Sequence, residues 1–92
     1  MTVAAFAPQI TVQPQDQAVE VGQAANFQVT ATGTDPLKYQ WSRNAIAIVG
    51  ATGTGYTTPV TLENDNGTIY AVVVSNPVGN AISANANLVI VL

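Results

Sequence analysis

The chain has no cysteine and no histidine. That removes disulfides, thiol nucleophiles, the usual zinc ligands and imidazole acid–base chemistry together. A small domain without cross-links must hold itself by packing alone, and the lack of disulfides is compatible with synthesis in a reducing compartment. Charge is also scarce. Charged residues make up 8% of the chain, against about 25% in ordinary globular proteins. Lys38 and Arg43 are the two cations, and Asp16, Glu20, Asp35, Glu63 and Asp65 bring the net charge to -3. Two cations cannot neutralise many phosphates, which argues against nucleic-acid binding. A polybasic contact with a membrane surface is excluded for the same reason. No apolar run reaches the roughly 18 residues of a membrane span, so no membrane insertion is expected. The opening Met1–Pro8 has no basic start and its apolar stretch, Val3 to Ala7, is too short for a secretion signal.

Helical periodicity is missing as well, while Thr, Val, Asn and Gly dominate, and these are strand and turn residues. Of 92 residues, 48% are apolar, which is enough for one core. The single tryptophan, Trp41, sits in the alternating run Leu37, Tyr39, Trp41 and is the largest contribution to burial available. Around it, short alternating runs recur between turn signals. Ile10-Thr11-Val12 stops at Pro14, an edge signature, because proline cannot donate to a ladder. Ala18 to Val21 leads into Gly22. Ala24 to Thr32 alternates most cleanly, with Ala25, Phe27, Val29 and Ala31 on one side. Ile46-Ala47-Ile48 and Tyr56-Thr57-Thr58 are brief strands. Ile69 to Ser75 is a strong strand, Asn76 to Asn80 a hairpin loop, and Ala81 to Val91 a long final strand. The pattern predicts an all-β, two-sheet sandwich of one domain over residues 9–92, preceded by an arm over residues 1–8.

Gly22, Phe27-x-Val29-x-Ala31-x-Gly33, Trp41, Asp65-x-Gly67, Tyr70-x-Val72, Ser75-Asn76 and Gly79 occur in the order and spacing of an immunoglobulin-like domain. The chain resembles the cysteine-free, I-set-type modules of bacterial and phage surface proteins over about residues 9–91. The resemblance implies an antiparallel two-sheet immunoglobulin-like sandwich of about seven strands with no disulfide. It places Val29 and Val72 where the family's bridging cysteines stand, Trp41 as the core tryptophan, and Tyr70 as the corner tyrosine whose hydroxyl reaches back to backbone. One departure is visible. Two residues, Thr68 and Ile69, separate Gly67 from Tyr70 where the family has one, which calls for a bulge or a corner one residue longer.

Candidate chemistry is thin. Glu63 and Asp65 are the closest carboxylate pair, but nothing else catalytic lies nearby, and the resemblance makes Asp65 a structural corner residue. Leu62 to Gly67 has the outline of a calcium loop but lacks its first ligand and its closing acidic residue. Gly50 to Gly55 is glycine-rich, with no phosphate-loop lysine and no following helix. Asn66-Gly67-Thr68 fits a glycosylation acceptor and equally a sharp turn. Tyr39, Trp41 and Tyr56 could form a sugar-stacking platform if exposed, and weak surface carbohydrate binding rests on them. No catalytic residue, metal site or cofactor is expected, and the chain does not read as an enzyme.

The two most apolar strands carry the functional signal. With Tyr70, Val72 and Val74 inward, Val73 faces out. With Leu88 and Ile90 inward, so do Val89 and Val91. A strand apolar on both faces is normally covered, here by an N-terminal strand or the Met1–Pro8 arm of the same chain, or by another protein. The expected partner contacts are therefore Val3 and Phe6 of the arm with Val73, Val89 and Val91. The resemblance points to a non-enzymatic phage virion surface protein, such as a capsid decoration or head or tail accessory, contacting capsid protein or sister copies. The alternative is an accessory module of a secreted or cell-surface bacterial protein, binding carbohydrate or serving as a spacer or adhesin.

Overall fold

Between Ala24 and Thr32 every second side chain is apolar, and the backbone extends so that Ala25, Phe27 and Val29 are buried while Asn26, Gln28 and Thr30 face solvent. The same rule builds the rest of the computed structural model, which describes residues 4–92. Among the described residues the strands are β1 (Gln9–Val12), β2 (Gln17–Glu20), β3 (Asn26–Gln28), β4 (Thr30–Thr32), β5 (Lys38–Arg43), β6 (Ile46–Ala47), β7 (Gly55–Thr57), β8 (Ile69–Ser75), β9 (Asn80–Ile82) and β10 (Ala86–Val91). A 3-10 turn at Glu63–Asp65 precedes β8.

One layer pairs β1 with β4 and β3 with β7, all antiparallel. β3 and β4 are halves of one strand, interrupted at Val29, whose N–H donates to the Thr54 carbonyl (2.9 Å). The other layer runs β2-β10-β8-β5-β6, with β9 also on β8. Buried Pro14 lies where the first strand leaves one layer for the other, so β1 pairs with β4 while β2 runs parallel to β10. That pair is the parallel exception in an otherwise antiparallel sandwich. Joining the split strands gives seven.

Trp41 lies at the centre, fully buried with Phe27, Leu88, Val72 and Val74. Val72 is its direct neighbour across the β5–β8 ladder, and Val29 is buried in the same cluster. The indole Nε1 donates to the Gly53 carbonyl (2.9 Å), which satisfies the one polar atom a buried tryptophan brings. The glycine-rich loop thus caps the tryptophan. Phe27, Tyr70, Tyr56 and Trp41 follow one another through the core, with ring centroids 4.8, 5.7 and 6.5 Å apart.

The β5–β8 register is unbroken from Lys38↔Ser75 to Arg43↔Tyr70, so the extra residue before Tyr70 is absorbed in the corner and not in the ladder. Asn66 (φ -59°, ψ 131°) and Gly67 (φ +87°) form a type II turn closed by Thr68 N–H on the Asp65 carbonyl (3.1 Å). Its third position needs a positive φ, hence glycine. Among the described residues the Tyr70 hydroxyl makes no bond to backbone, and its polar neighbour is Arg43. Burial pushes the Tyr70 phenol up, and the adjacent guanidinium draws it partly back.

At the opposite end the arm is tied down. Phe6 N–H donates to Thr34 Oγ1 (2.8 Å), Thr34 N–H to the Phe6 carbonyl (3.1 Å), and Asn76 Nδ2 to that same carbonyl (2.7 Å). Pro8 is buried, and a Cβ on Gly33 would approach Pro8 Cα to 3.1 Å, so glycine is what admits the arm there.

Candidate interaction surface

The corner carboxylates are structural. Asp65 Oδ1 accepts from Arg43 Nη2 (3.0 Å) and Oδ2 from Leu62 N–H (2.8 Å), while Glu63 is exposed. Among the described residues no cluster of three or more His, Cys, Asp or Glu is placed to hold a metal. No helix there is long and apolar enough to cross a membrane. A sugar platform is not formed. Trp41 is wholly buried, and Tyr39 and Tyr56 pack against the core.

What remains is surface, and the two outer faces differ. On the β1/β3/β4/β7 layer the outward residues are Gln9, Asn26, Gln28, Thr30, Thr32 and Thr57, with a single valine, Val12, across from Thr30 and 52% exposed. Three of them bond to one another: Gln28 Nε2 donates to Asn26 Oδ1 (2.8 Å), and Asn26 Nδ2 to Thr57 Oγ1 (2.7 Å). The Gln28 amide lies over Gly55, where a Cβ would come within 2.5 Å of it.

The outer face of the larger layer carries Ile69, Ala71 and Val73 on β8, with Val89 and Val91 on β10, and Asn87 stands between the two groups, across from Ile69. Val73 is 36% exposed, Val89 46% and Val91 47%. Ile82, 70% exposed, stands directly across from Val73. A shallow groove lies between Ala45, Ile69, Val73 and Ile82, with Ser42, Asn44 and Asn85 at its rim and no charged residue in its lining. Val89 pairs beside Ala18 and Val91 beside Glu20, so the apolar strip ends at a carboxylate.

The described part of the arm, residues 4–8, does not lie on Val89 and Val91. Phe6 is 65% exposed and is bonded at the Thr34–Asn76 end, whereas Val89 and Val91 run beside β2 towards the Gly22–Thr61 bond. Phe6 therefore lies apart from Val89 and Val91. Val3 lies outside the described residues.

Ile82, Ile69 and Ala45 are the members that the sequence reading missed. In an unbroken strand from Ala81 to Val91, the phase set by Leu88 and Ile90 would turn Ile82 inward. The chain instead bulges at Ala84–Asn85, between buried Ser83 and buried Ala86. Ser83 holds the bulge on both sides. Its N–H donates to the Val72 carbonyl (2.9 Å), and its Oγ accepts from Val72 N–H (2.9 Å). Ile69 shares the phase of Ala71 and Val73 and was legible. Ala45 has φ +69° beside Asn44 at +49°, a tight hairpin turn where glycine is the usual second residue.

A model of the immunoglobulin domain family matches residues 7–76. The chain belongs to that family. It is 35% identical over 100 aligned residues to tyrosine-protein phosphatase Lar of Drosophila melanogaster, covering 95% of this chain and 5% of that protein. It is also 35% identical over 88 residues to endoglucanase C of Cellulomonas fimi, covering 91% of this chain and 8% of the enzyme. The chain thus spans less than a tenth of these curated relatives. Among solved structures, the titin tandem A164-A165 superposes with TM-score 0.84 at 18% identity, covering 98% of this chain and 50% of that one. Sidekick-1 immunoglobulin domains 1-5 give 0.80 at 20%, covering 95% and 20%. At these identities the structures establish the fold: an immunoglobulin-like sandwich, of the kind found in structural and interaction modules.

Proposed function

We propose that this immunoglobulin domain is a non-catalytic interaction module whose docking surface is the outer face of β8, β9 and β10. The observation that carries the reading is the contrast between the two outer faces. One ties Asn26, Gln28 and Thr57 together with side-chain hydrogen bonds and exposes a single valine, Val12. The other leaves Val73, Ile82, Val89 and Val91 in solvent. The occupant in this reading is a protein surface of matching apolar character, with a polar or basic rim where it meets Glu20. Its setting is an accessory position in a larger secreted or cell-surface protein. The likeness to one small part of two much longer proteins supports that setting.

The second reading is a phage virion surface protein seated on capsid protein or on sister copies through the same face. It is supported by the resemblance over about residues 9–91 to the cysteine-free modules of bacterial and phage surface proteins, and none of the relatives named above is a phage protein.

Sedimentation of particles from the native source, with intact mass of the band containing this chain, separates the two. A species the size of this chain pelleting stoichiometrically with virions supports the coat reading. Detection only within a larger polypeptide supports the accessory reading. In either setting, Val73→Asp with Val89→Asp should abolish partner association while the domain still melts cooperatively. Retained association would refute the surface.

A further inference from the structure

We infer that Asn66-Gly67 is a self-modification site held closed by β10, so that its deamidation records the opening of that strand. Asparagine followed by glycine is chemically the most exposed pairing for this reaction, because no side chain shields the glycine nitrogen. The reaction needs only water. The Gly67 backbone nitrogen loses its proton and attacks Asn66 Cγ, forming a C–N bond. The Cγ–Nδ2 bond breaks and ammonia leaves, which gives a five-membered succinimide. Water then adds to one of its two carbonyls, leaving aspartate or isoaspartate at position 66.

Three features of the fold oppose the first step. The attacking group is occupied, since Gly67 N–H donates to the Leu88 carbonyl (2.8 Å). The target amide is anchored, since Asn66 Oδ1 accepts from Ile90 N–H (2.9 Å). The backbone is also turned away. With Asn66 ψ at 131° the glycine nitrogen lies well out of the plane that the ring requires. Two of these three restraints are made by β10, and a third bond, Leu88 N–H to the Thr68 carbonyl (2.9 Å), holds the same strand to the same turn. Both Asn66 and Gly67 are nevertheless exposed, so water and base are already present. Freeing β10 from Leu88 onwards therefore removes two of the three restraints without global unfolding, and leaves the turn alone to hold Asn66 ψ away from the reactive geometry.

The isoaspartyl product inserts a methylene into the backbone of the type II turn. It moves Gly67 N–H off Leu88, so the corner cannot close again as before. The aspartyl product keeps an oxygen in the place of Oδ1 and leaves the Ile90 bond available. The two products thus differ in consequence: one is silent, the other prevents β10 from seating.

The test is peptide mapping of the intact chain, incubated at mildly alkaline pH in buffer and in concentrated urea. Deamidation at Asn66 should be at least about tenfold slower in buffer. It should accelerate in sub-denaturing urea before the global transition. Leu88→Ala should speed it while the domain remains folded, and the urea series carries the test if that variant does not fold. Asn66→Asp should melt close to wild type, whereas purified isoaspartyl chain should melt lower. Equal rates in buffer and urea, or faster loss of another asparagine in urea, would overturn the inference.

Discussion

The two outer faces of this sandwich are built by the same alternation and end in opposite chemistry. On β3, the residues between Phe27 and its buried neighbours are Asn26 and Gln28, and they close a hydrogen-bonded ladder with Thr57. On β8, the residues between Tyr70, Val72 and Val74 are Ala71 and Val73, which are apolar and bond to nothing. The inward residues of both strands answer to one core and are constrained alike. The outward residues are free of the core, so their difference reports on surroundings. A face that completes its own polar contacts has no need of a partner. A face that leaves valine and isoleucine in water is stabilised by one.

The largest expected effect removes what both faces share. Trp41→Ala should destabilise the domain by about 3–5 kcal/mol in denaturant unfolding, because a cavity opens between Val29 and Val72 with no disulfide to hold the sheets. A wild-type-like midpoint would break the comparison at its root, since the faces would not then depend on one core.

On the polar face, Gln28→Ala should lower stability by about 0.5–1 kcal/mol through the lost amide bond, with partner association unchanged. On the apolar face the turn beneath the groove predicts the opposite pairing of effects. Ala45→Gly relieves a positive φ that an L-residue adopts at a penalty, and should raise stability by about 0.5–1 kcal/mol. It also strips a methyl from the groove and should weaken association. Stability and binding moving in the same direction would place Ala45 outside the interface.

The smallest effect is one of pH. Tyr70 is neutral in the fold and its pKa is raised from 10.0 by burial. A raised value favours the protonated, folded form, so this contribution is complete below about pH 10 and is lost as pH rises towards the folded-state pKa. Melting curves should therefore fall more steeply above pH 10 for wild type than for Tyr70→Phe.

Most of the architecture was legible because alternation and turn residues are local. Phe27, Val29, Trp41, Tyr70 and Val72 each sit at a phase that neighbours in the same strand dictate. The corner was half legible. The extra residue before Tyr70 showed in the spacing, but its resolution as a type II turn depends on Gly67 bonding to Leu88 across the chain. The outward apolar residues were legible at Val73, Val89 and Val91 and hidden at Ile82. There the phase is reset by a bulge that Ser83 fixes through Val72, a contact no local pattern encodes. The separation of Phe6 from Val89 and Val91 was hidden for the same reason, since only the Thr34 and Asn76 bonds show where residues 4–8 go.

The absence of cysteine makes the most direct measurement clean. A single thiol introduced by Val73→Cys on the apolar face, or by Gln28→Cys on the polar face, can be labelled in the isolated domain and again in the native assembly. The account predicts that Val73→Cys reacts freely alone and is protected in the assembly, while Gln28→Cys reacts equally in both. Protection at Gln28→Cys with free reaction at Val73→Cys would contradict it.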